Sequence, residues 1–89
     1  MAHTIRGKAK LIARVRRIRG QMEAVERALE SESECAEVLR LIASVRGAVN
    51  GLMAEVMEGH IREHVNAASS DARARGAEEL TEIVKAYLK

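Results

Sequence analysis

Two histidines four residues apart, His60 and His64, stand in the stretch GHIREH, Gly59 to His64. On a helix that spacing sets two imidazoles side by side on one face, where they can chelate a single borderline metal ion. Histidines aligned with a buried face are more often satisfied core or interface residues than ligands. The pair becomes a site only if further donors join it. The chain offers one cysteine, Cys35, and one more histidine, His3.

At about 100° per residue, Cys35, Ile42, Val49, Met53, Val56, His60 and His64 fall within about 40° of one line along a helix. The thiol and both imidazoles therefore share an apolar stripe. Cys35 precedes His60 by 25 residues, about 37 Å at the helical rise, so one straight helix cannot bring both to one ion. Two copies lying antiparallel about a two-fold axis would bring Cys35 of one chain toward His60 and His64 of the other. Such an isologous pairing makes two equivalent S,N,N clusters.

The elements that must position these residues are helices. The chain of 89 residues has no proline and one aromatic residue, Tyr87, and is rich in the helix formers Ala, Glu and Arg, with Leu and Lys besides. Leu11, Val15, Ile18, Met22, Val25 and Leu29 follow steps of 4, 3, 4, 3 and 4, a heptad seam for a first helix over about residues 5–30, with Thr4 as an N-cap. Ser31 with Glu34 reads as a capping box that starts a second helix near Ser31 or Ser33. That helix should run to Val65 or Asn66, with Gly47 and Gly51 on one side allowing close approach of another helix. The stretch Asn66 to Gly76 reads as a loop that can run into a third helix, and Ala77 to Leu88 as that short helix. The expected fold is all-α: three helices, long, longer and short, the first two forming an antiparallel hairpin in a single domain over residues 1–89.

A chain this small buries little surface alone and leans on oligomerisation or metal. One cysteine makes no internal disulfide, no apolar run approaches a membrane span, and no signal-peptide pattern opens the chain. A cytoplasmic protein without membrane partners is expected. The net charge of +2 hides a polarity: residues 1–20 hold seven basic and no acidic side chains, and the remainder holds eight basic against thirteen acidic. An anionic partner for the first helix follows. Arg6, Lys10, Arg14 and Arg17 line one stripe there, broadened by Arg16 and Arg19, a surface suited to phosphates.

The segment Cys35 to His64, CAEVLRLIASVRGAVNGLMAEVMEGHIREH, resembles the core of the copper-sensing and nickel/cobalt-sensing repressor family, CsoR/RcnR. So does RVRRIRGQ, Arg14 to Gln21, and the opening MAHTIRGKAKL is especially similar to the nickel/cobalt branch. The resemblance implies an all-helical dimer of dimers, a homotetramer, that represses an efflux or detoxification gene until an inducer binds. It also implies an inducer site shared between protomers, with Cys35 from one chain and His60 and His64 from its partner. His3 matches the N-terminal ligand of the nickel/cobalt branch, and Glu63 and the α-amine are further donors. The DNA-contacting residues implied are Arg14 and Arg17, then Arg16, Lys10 and Arg19.

Copper-sensing members place a second cysteine where this chain has His64, and this chain has none. Nickel(II) and cobalt(II) accept imidazoles with a single thiolate, and zinc(II) can bind the same donors in vitro. Formaldehyde-sensing relatives use a reactive cysteine at the Cys35 position with an N-terminal amine from a proline at position 2. Ala2, His3 and His64 weigh toward the nickel/cobalt reading, with the formaldehyde reading as the alternative. No catalytic triad or Gly-rich phosphate loop points to an enzyme. An architectural DNA-binding protein would account for the basic helix and leave the ligand stripe unexplained.

Overall fold

A computed structural model describes residues 7–87. Three α-helices follow one another: α1 (Lys8–Glu30), α2 (Cys35–His60) and α3 (Ser70–Tyr87). A π-helical turn, Ile61–Val65, extends α2. The described residues contain no strand. The all-α hairpin fold expected from the sequence is thus observed, and Thr4 and Leu88 fall outside the described residues. Residues 8–53 form one compact unit and residues 54–87 belong to a second.

In the first unit α1 and α2 run antiparallel. Gln21 Nε2 donates to Ser44 Oγ at 3.4 Å, and seven residues earlier on α1 the Arg14 guanidinium lies against Gly51, seven residues later on α2. Equal steps in opposite directions are what an antiparallel hairpin requires. Its inner faces are the half-buried or buried positions Leu11, Arg14, Ile18, Gln21, Val25 and Ala28 on α1, and Val38, Leu41, Val45, Ala48 and Leu52 on α2. Both sets alternate steps of 3 and 4, so each is a heptad seam.

The seam read from the sequence is therefore half right. Leu11, Ile18 and Val25 face inward, whereas Val15, Met22 and Leu29 are about half exposed or more, at 47, 51 and 61 %. The apolar residues of α1 form two adjoining strips that a 4,3 step pattern merges into one. The hairpin covers the strip that also carries Arg14, Gln21 and Ala28, whose small or extended side chains let α2 lie alongside.

The turn closes by a Schellman arrangement. Ser33 N–H donates to Ala28 C=O at 2.9 Å and Glu32 N–H to Leu29 C=O at 3.2 Å, with Glu32 in the left-handed region at φ 57°. The expected capping box is replaced by this motif. Ser31 Oγ turns back to the Ala28 carbonyl instead of capping α2, and the first backbone bonds of α2 run from the Glu37 and Val38 N–H groups to the Glu34 carbonyl.

The expected loop is shorter than the sequence suggested. Only residues 66–69 connect the π turn to α3, which begins at Ser70 and spans 18 residues. Ser69 is the reason: its Oγ accepts the Ala72 N–H at 3.1 Å, an N-cap, with Asp71 in the first turn. Arg73 Nη1 donates to the carbonyls of Ala67 and Ala68, both at 3.0 Å, and ties the link down. At Gly47 a β-carbon would meet nothing within 4 Å, so no described helix of the same chain approaches it closely.

Candidate functional site

His60 ends α2 and His64 lies in the π turn that follows, so both imidazoles stand where the helix changes its hydrogen-bond register. Single π turns within helices are frequent at functional sites. The two rings are in contact, with centroids 4.8 Å apart and planes inclined by 46°. A pair of imidazoles at that separation suits convergence on one ion.

His60 is buried, 6 % exposed. Its Nε2 is 2.9 Å from the carbonyl oxygen of Gly76, sixteen residues on. A carbonyl only accepts, so Nε2 carries a proton, and whenever the ring is neutral Nδ1 is its lone-pair nitrogen. Metal-binding histidines commonly donate their second nitrogen to a backbone carbonyl in this way. The donor set thus fits a borderline ion at the imidazole end.

Gly76 reaches the ring because α3 passes tightly across the π turn. A β-carbon on Gly76 would overlap the His64 carbonyl group and stand 2.8 Å from His64 Cβ. Gly76 is accordingly buried in an otherwise exposed stretch of α3. Gly76, Arg73 and Ser69 were missed in the sequence because the segment reads as a polar loop. The available signal was SSDA, a serine followed three residues on by a good helix former.

Cys35, the first residue of α2, is exposed, and Glu63 is half-buried in the π turn. His3 lies outside the described residues. Among the described residues no three His, Cys, Asp or Glu side chains gather into a set that could hold an ion.

On α1, Lys10, Arg16, Arg17 and Arg19 are exposed. Arg16, Arg17 and Arg19 meet no acidic partner among the described residues. Arg14 departs from this group. It is half-buried at a seam position, its guanidinium against Gly51, so it does not share the open stripe read for Lys10 and Arg17. The first turn of α1 has no acidic residue; the helix dipole would favour one there for stability, and its absence favours an anionic partner instead.

No described helix is long and apolar enough to cross a membrane. The apolar stripe of α2 is uncovered in the single chain, with Ile42, Val49 and Met53 each more than two-fifths exposed.

Comparison with known proteins gives the setting for these features. A family model described as a metal-sensitive transcriptional repressor matches residues 7–88. The chain is 57 % identical over 91 residues to an uncharacterized protein in the bioA 5′ region of Serratia marcescens, each covered in full. It is 49 % identical over 92 residues to the transcriptional repressor RcnR of Salmonella paratyphi B, again over the whole of both. Among solved structures it resembles the E64H variant of the formaldehyde-responsive regulator FrmR from Salmonella enterica serovar Typhimurium. That match has a TM-score of 0.83 and 46 % identity, over 92 % of this chain and 94 % of that one. The family is one of transcriptional regulators rather than enzymes, and this chain belongs to it, the metal-sensitive transcriptional repressor family.

Proposed function

We propose that this chain binds operator DNA as a repressor and releases it on binding nickel(II) or cobalt(II). The observation that carries the reading is the contacting pair His60 and His64 at one end of the long helix, with the exposed Cys35 thiol at the other. An isologous dimer with α2 antiparallel to its copy brings the thiol of one protomer to the imidazoles of its partner. The uncovered apolar stripe of α2 supports that pairing, since a chain of this size that leaves Ile42, Val49 and Met53 open gains by covering them. A further pairing of dimers gives the tetramer proposed for DNA binding.

In this reading Cys35, His60 and His64 hold the ion, and His3 and Glu63 complete its coordination. One thiolate among nitrogen and oxygen donors favours nickel(II) or cobalt(II) over copper(I), and the match to the metal-sensitive repressor family supports a metal signal. Arg16, Arg17, Lys10 and Arg19 meet phosphates, and Arg14 joins them only if its guanidinium leaves its place against Gly51. Binding at the two sites is antagonistic. A coupling of about 1–3 kcal/mol changes operator affinity by about 5–150-fold, and DNA weakens inducer binding by the same factor.

Operator release in a gel-shift titration tests the reading. Nickel(II) or cobalt(II) should release DNA from the native protein and fail to do so from Cys35→Ser and from His64→Ala.

The exposed thiol of Cys35 and the likeness to a formaldehyde-responsive regulator favour one second reading, a repressor responding to formaldehyde through Cys35. Formaldehyde releasing the operator in the presence of a chelator would establish it in place of the first.

A further inference from the structure

A glycine in a helix interior costs up to about 1 kcal/mol relative to alanine, so Gly76 needs a reason. Its backbone supplies none, because no described glycine has a positive φ. Space supplies it: the position where a β-carbon would stand is taken by the carbonyl group of His64. The same approach presents the Gly76 carbonyl to His60 Nε2 at 2.9 Å. A carbonyl oxygen has two lone pairs, so it can serve the helix ladder and the ring together.

From this we infer that Gly76 is a positioning residue for the inducer site, its bare backbone holding His60 in the Nε2–H tautomer with Nδ1 turned to the ion. The inference rests on the reading of His60 as a ligand. Gly76 contributes no donor to the ion and touches the ligands of one protomer from outside. The π turn belongs to the same device, because it carries the His64 carbonyl against which α3 rests. Any side chain at position 76 would push α3 away from that carbonyl and withdraw the acceptor from His60. The ring is then released to the mixture of tautomers and rotamers usual for an unheld histidine. Partners of this kind typically contribute about 10–100-fold to metal affinity when lost.

The test begins with the metal-free native protein, full chain, at a pH where histidine is neutral. Ring nitrogen chemical shifts should show His60 with Nε2 protonated and Nδ1 unprotonated. In Gly76→Ala the same ring should move toward a tautomer mixture, and cobalt(II) affinity should fall about 10–100-fold with the thiolate-to-metal absorption band retained at saturation. A native ring with Nδ1 protonated, or a Gly76→Ala ring identical to the native one, overturns the proposal. Should Gly76→Ala not fold, His60→Gln and His60→Ala replace it. A glutamine amide can donate to the Gly76 carbonyl while offering no lone-pair nitrogen. His60→Gln should therefore unfold near the native temperature and His60→Ala well below it, and equal unfolding temperatures overturn the proposal. If the native protein takes up no metal, the functional reading fails, while the tautomer measurement still decides the role of Gly76.

Discussion

The guanidinium of Arg14 occupies the space beside Gly51, with Nη1 2.8 Å from where a β-carbon on that glycine would stand. A basic residue of α1 is thus accommodated within the hairpin seam by a missing side chain on α2, seven residues from the Gln21–Ser44 hydrogen bond. Polar residues at seam positions fix the register of paired helices at some cost in stability.

Glycine-to-alanine substitutions test that accommodation. Gly47→Ala meets open space and should stabilise the chain by up to about 1 kcal/mol through helix propensity. Gly51→Ala should gain less, because the end of the Arg14 side chain must shift. In an Arg14→Ala background the two substitutions should become equivalent. Denaturant unfolding at one fixed protein concentration measures all of these, and an undiminished gain at Gly51 in the native background contradicts the account.

Glu32 closes α1 in a left-handed conformation that costs a residue with a β-carbon about 1–2 kcal/mol. Glu32→Gly should raise stability by about 0.5–1 kcal/mol, since the Schellman hydrogen bonds through the backbone remain. A loss of stability would mean that the Glu32 side chain makes a contribution larger than its strain.

Arg17 is exposed on the acid-free face of α1. For Arg17→Ala, the slope of log affinity for operator against log salt should fall by about 1 for each phosphate contact removed. Binding should weaken similarly for operator and unrelated duplexes. An unchanged slope with weaker binding to the operator alone would make Arg17 a base-reading residue instead.

The helices and their antiparallel order were legible in the sequence, because apolar periodicity and the absence of proline report local structure directly. The choice between the two apolar strips of α1 was not. Val15 and Met22 are as hydrophobic as Ile18 and Val25, and only the partner helix decides which strip is covered. The start of α3 was hidden for a different reason: Ser69, Arg73 and Gly76 look like loop residues, and each acts through one specific contact. For the candidate site, spacing brought His60 and His64 together, as the ring contact shows. Gly76 could not be found that way, since its role depends on a backbone approach across sixteen residues.

One substitution probes the uncovered stripe itself. Ile42→Arg places a charge among residues proposed to meet their copies, and should dissociate the assembly and weaken cobalt(II) binding by at least about tenfold. Sedimentation at matched concentrations checks the first effect. An unchanged mass with normal metal binding contradicts the antiparallel pairing of α2.

Subunit mixing tests the shared site most directly. Cys35→Ser protomers keep their imidazoles, and protomers with both His60→Ala and His64→Ala keep their thiol. Neither alone should show the thiolate-to-cobalt(II) absorption band of the native protein. Refolded together, half of the dimers are mixed and each of those holds one intact site, so about a quarter of the native intensity should return. A mixture that stays silent, or a band present in the Cys35→Ser variant alone, would contradict a site built from two chains.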